Sequence, residues 1–314
     1  MAYKNCREAK GTHFKRVFET KRSIKLGLAM ALQSHHLEAF LMIARLKNFS
    51  KAATSLHVTQ SALSHRIAAL EEEIAAPLFI REKTGVRLTE LGEEFLRYVQ
   101  LKNSLEEEFL SRLTDKKSSS LKGVLRVGTY ASIGRSIVLK ALTPFLAQNP
   151  GIQLFFMMRE MRALPDLLKS GEADFIFLDY DMGRGKIESK LLGEEEYGLV
   201  EAKKGCSNPD VYLNHDEEDL ITFKFYELQG TKNKIFRRSY LDEIYSCIDG
   251  VGTGMGISVL PIHLVKDDPR IKVHTGFKNL KMPVYLHYFD QPVRTEMEKK
   301  VTELFEREIP QILK

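Results

Sequence analysis

Thr59, Gln60, Ser61, Ser64, His65 and Arg66 fall within eight residues, and each carries a side chain that donates or accepts hydrogen bonds. Glutamine can grip an adenine edge with two bonds, hydroxyls reach bases or phosphates, and arginine pairs with guanine or with the backbone. That chemistry suits the major groove of double-stranded DNA, provided one helix end presents all six groups. Gln60, Ser61, Ser64 and His65 are then expected to face base edges. Ser50, Arg66, Arg81, Lys83 and Arg87 are expected to contact mainly phosphate.

A second set lies between Gly128 and Gly134, where a strand ends and Thr129, Tyr130 and Ser132 precede a helix. Hydroxyls and free amides converging at a helix N-terminus make an anion site. The plainer alternative is that Thr129 and Ser132 only cap the helix. Asp179 and Tyr180, just past a later strand, are expected to form the opposing lip, with Thr253 facing the same cleft. The ligand implied is small and anionic.

Elements able to position the first set are legible nearby. Leu37, Phe40, Leu41 and Ala44 make one apolar stripe of a helix. A short helix follows over 51–56, with Ala52 and Ala53 small enough for a close crossing. The break falls at His57-Val58-Thr59, and Thr59 is a suitable N-cap for a third helix over 60–74. Leu63, Ile67, Leu70 and Ile74 form its buried side. Glu71, Glu72 and Glu73 cluster at its far end and would repel phosphate, so the N-terminal half must approach DNA. Val86 and Leu88 alternate with Arg87 and Thr89 after the turn at 83–85, which reads as a wing.

From about Glu90 to Lys116 one long helix is predicted, with a heptad-like seam of Leu91, Phe95, Tyr98, Leu105, Phe109 and Arg112. Such a helix needs a partner, most simply the same helix of a second subunit. Asp115 to Ser120 then makes a polar joint, and after it strands alternate with helices. That succession implies a parallel sheet covered on both faces, with a ligand site beyond the strands' carboxyl ends.

The 314-residue chain is long enough for several domains, and 43% hydrophobic with 28% charged residues is ordinary for a globular protein. No apolar run suits a membrane span or a secretory signal, so a cytoplasmic protein with no membrane partner is expected. Residues 1–34 hold eight Lys/Arg against two Asp/Glu, a surplus of +6, which leaves −1 for the rest of a chain whose net charge is +5. Overall basicity therefore says nothing about DNA binding. That basic segment reads as a solvated tail, a DNA-contacting arm, or the product of a start codon assigned too far upstream of Met30. Cys6, Cys206 and Cys247 form no ligand-spaced pair, so no metal site is expected.

Taken in order, the residues from Leu37-Glu38-Ala39-Phe40, through Phe49-Ser50-Lys51-Ala52-Ala53 and Gln60-Ser61-Ala62-Leu63-Ser64, to Pro77-Leu78-Phe79, Arg81 and Leu88-Thr89 through Gly92 resemble the LysR-type transcriptional regulators. Ala75 departs from that pattern, which usually has glycine after the recognition helix, and a helical extension there would shift the wing. Val124 to Gly128, Gly171 to Asp174 and Val251 to Pro261 resemble the family's effector-binding region. The resemblance implies an all-α winged helix-turn-helix domain over 35–92, a linker helix over 90–117, and a two-lobed α/β effector domain over 122–314 similar to periplasmic binding proteins. Lobe I would comprise 122–196 and 273–314, and lobe II 197–272, with crossovers near Glu195 to Val200 and Ile271 to Gly276. It further implies a homodimer through the linker helix, a homotetramer, RNA polymerase as a partner, and no cofactor.

Competing chemistry is thin. The glycines of 250–256 sit at every second position, without the spacing of a dinucleotide fingerprint. They also follow a helix expected over 240–248, so a C-cap and turn are the better reading. Glu194-Glu195-Glu196 reads as a solvated patch, and His263, His274 and His287 as core or surface histidines. No acid–base set converges, so no enzyme is expected. Cys206 and Cys247 leave a redox switch open as the alternative to a small-molecule effector.

Overall fold

The computed structural model describes residues 32–83, 85–114, 120–183, 185–231 and 235–313, in two compact units, 1–100 and 101–314. Most of the basic N-terminal segment and much of the polar joint lie outside the described residues, as does the side chain of Arg112 in the expected seam.

In the first unit, α1 (Ser34–Leu46), α2 (Phe49–Ser55) and α3 (Gln60–Ile74) surround one core. Ala52 and Ala53, 0% and 3% exposed, let α2 approach Leu63, Ile67 and Leu70 of α3 closely. The side chain of Asn48 caps α2 by accepting from Lys51 N, so that helix starts at Phe49, earlier than the apolar pattern suggests. Ala75 stops α3 in the left-handed conformation (φ 61°, ψ 30°). The expected helical extension is absent, and the alanine takes up the strained geometry at a cost of about 1 kcal/mol.

β1 (Phe79–Glu82) and β2 (Gly85–Leu88) then pair antiparallel as the wing. Glu71 has a structural role that its charge alone did not suggest. Its Oε1 accepts from Leu78 N at 2.7 Å and Phe79 N at 3.2 Å, tying the wing to α3. α4 (Glu90–Thr114) begins at Thr89, whose hydroxyl accepts from Gly92 N at 2.9 Å. Leu96 and Val99 of α4 pack into the head core, with Phe95 against it, while Leu91 and Tyr98 stay 39% and 49% exposed.

The second unit is built on a seven-stranded sheet. β3 (Lys122–Thr129) runs parallel to β4 (Gly151–Met158) and β5 (Phe175–Leu178), separated by the helical run 131–148 (α5) and α6 (Leu164–Lys169). The sheet is mixed, which corrects the expectation of a parallel one. β6 (Ile187–Ala202) and β11 (Leu280–Phe289) are long antiparallel partners, and β11 also lies antiparallel to β5.

β6 contributes Leu192 to one core and Val200 to another, so it physically joins two lobes. The second lobe holds β7 (Val211–Asn214), α7 (Ile221–Leu228), β8 (Arg237–Tyr240) and α8 (Ile244–Gly252). It also holds β9 (Ser258–Pro261), α9 (Ile262–Val265) and β10 (Ile271–Val273). The helix expected over 240–248 therefore starts later, after a break in which Asp242 takes φ 55°. α10 (Glu296–Ile312) closes the chain with a capping box between Thr295 and Glu298, and its Val301 and Phe305 are buried in the first lobe's core.

Asp174 pins the turn into β5. Its carboxylate accepts from Arg126 N at 2.7 Å, while its own N–H donates to Arg126 O at 2.9 Å. Burial pushes that carboxyl up to about 7, against the opposing pull of the Arg126 charge. The folded state thus holds the proton more tightly than the unfolded chain, and stability from this group falls as pH rises from about 4 to 7. Asp174→Asn keeps an acceptor for Arg126 N and cannot titrate. Its melting temperature is expected to gain on the wild type between pH 4.5 and 7.5; parallel profiles would rule this assignment out.

Candidate nucleic-acid interface and ligand cavity

In the first unit the polar set at the start of α3 stands on the surface. Thr59 accepts from Ala62 N at 3.2 Å and caps the helix, while Gln60, Ser61 and His65 are exposed, with Ser64 and Arg66 half-buried. Leu63, Ile67 and Leu70 point inward from the same helix. Ser50 donates to Gln60 Oε1 at 3.2 Å, so α2 braces the leading glutamine.

Arg81 is exposed on the wing with its guanidinium 4.7 Å from the centre of the Phe49 ring, within cation–π range. Lys83 is exposed at the wing tip. Arg87 is already engaged: its Nε lies 3.1 Å from Glu82 Oε1, which weakens its case as a phosphate contact.

In the second unit a cavity of about 610 Å³ opens between the lobes. Tyr130, Ser132 and Asp179 line it, as expected. Ser132 is 3% exposed, and its Oγ is buried without a hydrogen-bond partner, a condition that a ligand would relieve. It does not cap α5, whose first turn leaves amides free beside it.

Three other expected residues are not brought to the cavity. Thr129 is fully buried, with its hydroxyl on Tyr130 O at 3.2 Å and its methyl packed against Gly134. Tyr180 points outward at 44% exposure. Thr253 is an exposed C-cap of α8 whose hydroxyl donates to Gly250 O at 3.0 Å, so its local turn takes the group the cleft was expected to use.

Sequence reasoning missed the groups that join the lobes. Glu195, expected to be solvated, is 1% exposed: its carboxylate accepts from the Tyr197 hydroxyl at 2.7 Å and lies 2.8 Å from His263 Nε2. His263 Nδ1 reaches Ser136 Oγ at 3.1 Å, in the π turn Gly134–Val138 of α5. Burial together with the charges of Glu195 and Asp179 drives the Tyr130 hydroxyl well above its ordinary range, so it remains a neutral donor.

Across the mouth, Arg162 meets Glu218 at 2.7 Å and His215 Nε2 meets Glu160 at 3.4 Å. Asp216 faces the other ring nitrogen of His215 at 3.4 Å. Glu160, His215 and Asp216 thus converge at the mouth, with one ligand atom of each within 4.8 Å of the others. Arg135 of the first lobe stacks 4.2 Å from the Tyr245 ring of the second. Among the described residues no helix is long and apolar enough to cross a membrane.

Comparison with known proteins agrees with both halves. Residues 34–93 match the model of the bacterial regulatory helix-turn-helix protein, lysR family, and residues 118–205 match the LysR substrate binding domain. An uncharacterized HTH-type transcriptional regulator of Bacillus subtilis, YybE, is 30% identical over 246 residues, covering 73% of this chain and 82% of that protein. The Escherichia coli HTH-type transcriptional regulator IlvY is 26% identical over 247 residues, covering 74% and 83%. The crystal structure of ArgP from Mycobacterium tuberculosis shares the fold with a TM-score of 0.70 at 20% identity, over 87% of this chain and 96% of that one. With its helix-turn-helix head and substrate-binding domain, the chain belongs to the LysR family of DNA-binding transcriptional regulators.

Proposed function

We propose that the protein reads operator DNA with Gln60, Ser61, Ser64 and His65 in the major groove, positioned by phosphate contacts from Ser50, Thr59, Arg66, Arg81 and Lys83, and that a small effector in the inter-lobe cavity controls the outcome. One observation carries the DNA half: α3 buries Leu63, Ile67 and Leu70 while its first turns leave Gln60, Ser61 and His65 exposed. Copies pair through α4, on which Leu91, Tyr98, Phe109, Leu110 and Leu113 are exposed and apolar. Effector domains join two such dimers into a tetramer. Ligand closing the lobes changes the spacing of paired heads, and with it the DNA bend and the recruitment of RNA polymerase. A redox switch is the weaker reading, since burial pushes the Cys247 thiol up to about 12, far from the thiolate that oxidation requires.

Gel shifts against the gene's own upstream region test the DNA half. Gln60→Ala is expected to relax preference at one base pair by about 1–3 kcal/mol. Arg81→Ala should weaken every sequence and lower the salt slope by about one unit. Equal losses on cognate and random DNA for Gln60→Ala would remove that residue from base reading.

A further inference from the structure

Seven carboxylates and four Lys/Arg side chains line the cavity. Counted over those eleven side chains, the wall carries three formal negative charges in surplus, the reverse of what an anionic effector needs. The carboxylates are not equivalent. Asp219 is consumed by the second lobe: it accepts from Asn214 Nδ2, His215 N and Ile221 N at 2.9–3.2 Å. Glu218 is paired with Arg162, and Glu160 lies 3.4 Å from His215 Nε2. Three lining carboxylates enter no ion pair among the described residues: Asp242 and Glu243 are exposed, whereas Asp179, just beyond the end of β5, is half-buried. Burial holds its carboxyl above the ordinary carboxylate range, the Lys224 charge opposes that, and Glu195 behind it adds negative potential. Ser132, from the first turn of α5, offers the complementary chemistry: a buried, unsatisfied hydroxyl beside free helix amides.

We infer that the cavity takes an amino-acid-like cation, with an ammonium group held at Asp179, a carboxylate held by Ser132 and the amides heading α5, and a further positive charge answering the acidic surplus of the wall. This inference rests on the reading of the cavity as the effector site, and it replaces the anionic ligand expected from the helix N-terminus alone. The helix end accounts for one carboxylate only. A ligand with two would place its second against Asp179 and the acidic wall, where like charges repel.

The full chain is titrated calorimetrically with L-lysine, L-arginine, putrescine, L-glutamate and succinate. The two basic amino acids are expected to bind at least about tenfold more tightly than glutamate or succinate. Putrescine, which lacks a carboxylate, should fall between them. Asp179→Asn is expected to weaken lysine and putrescine alike, whereas Ser132→Ala weakens lysine and leaves putrescine unchanged. Lys224→Gln, an exposed change on α7, should tighten both amines by lifting the competing cation. That last gain shows that the site responds to charge even if the Asp179 variant folds poorly.

Tighter binding of succinate or glutamate than of lysine overturns the inference, as does failure of all the amines to bind. Footprints on the upstream DNA separate this result from the regulatory reading. If lysine binds with the expected variant pattern while the footprint stays fixed, the ligand class holds and the effector role falls. If succinate binds and moves the footprint, the effector role holds and the ligand class falls.

Discussion

Gly92→Ala is expected to unfold the DNA-binding head at temperatures the wild type tolerates, with a loss of about 2–3 kcal/mol. In an exposed helix the same change ordinarily stabilises by about 1 kcal/mol, so the sign alone is diagnostic. Gly92 stands in the first turn of α4, where an added Cβ would be driven into the carbonyl of Leu78 and against Leu88 Cδ2 at 3.1 Å. That carbonyl cannot retreat. Its oxygen accepts from Thr89 N at 3.0 Å, the Thr89 hydroxyl bonds Pro77 O at 2.9 Å, and Leu78 N is held by Glu71. Backbone of the wing and backbone of the helix thus touch where only hydrogen fits between them. Chemical denaturation of the variant gives the number, and DNA affinity should fall with the folded fraction. A variant as stable as the wild type would mean that helix and wing lie farther apart than they stand here.

Much of the head was legible because its determinants are local. Thr59 and Ala62 N are three residues apart, and the apolar stripe of α3 repeats within one helix, so the span Gln60–Ile74 follows from the sequence directly. Asn48 caps α2 from ahead of its alanines, so the small-residue contact alone places that helix start two residues late. Glu71 and Gly92 are different. Their roles depend on where the chain returns after Pro77, and nothing near either residue announces it.

The effector domain was legible as strands and helices and illegible as pairing. Phe175–Leu178 is buried throughout, which matches an interior strand, but no residue in it shows that one neighbour runs parallel and the other antiparallel. Glu195 shows the physical reason for the largest error. The register between β6 and β11 slips at Val284/Tyr285, so Leu192 has no opposite number and alternation along β6 changes phase. Counting by twos from Leu192 buries Glu194 and Glu196; after the bulge it is Glu195, Tyr197 and Leu199 that face inward. The cavity residues divide the same way. Ser132 and Asp179 follow from strand ends, while Thr253 was claimed by a turn of its own helix.

Glu195→Ala is expected to destabilise the effector domain by about 3–5 kcal/mol, because it strands two buried hydrogen-bonding groups at once. Counting protons shows what remains. The Ser136 hydroxyl donates to Ser132 O at 2.7 Å, so its oxygen must accept from Nδ1–H of His263. A proton therefore has to lie between His263 Nε2 and Glu195 Oε1 as well, whether shared by imidazolium and carboxylate or by their neutral forms. Alanine strands that imidazole nitrogen and the Tyr197 hydroxyl together. Glutamine does not: its amide can donate to a bare Nε2 while its oxygen still accepts from Tyr197, so Glu195→Gln should lose no more than about 1.5 kcal/mol. His263→Ala made on top of Glu195→Ala should cost far less than the two single losses added, since the second change removes a group already left unpaired. The three residues sit on α5, β6 and α9, one in each lobe and one on the strand that joins them, so the same contact that stabilises the fold also fixes the angle between the walls of the cavity. Thermal unfolding of the two single variants and the pair decides it: additive losses, or a glutamine variant as unstable as the alanine one, would mean that Glu195 and His263 act separately and that the lobes are not clamped through them.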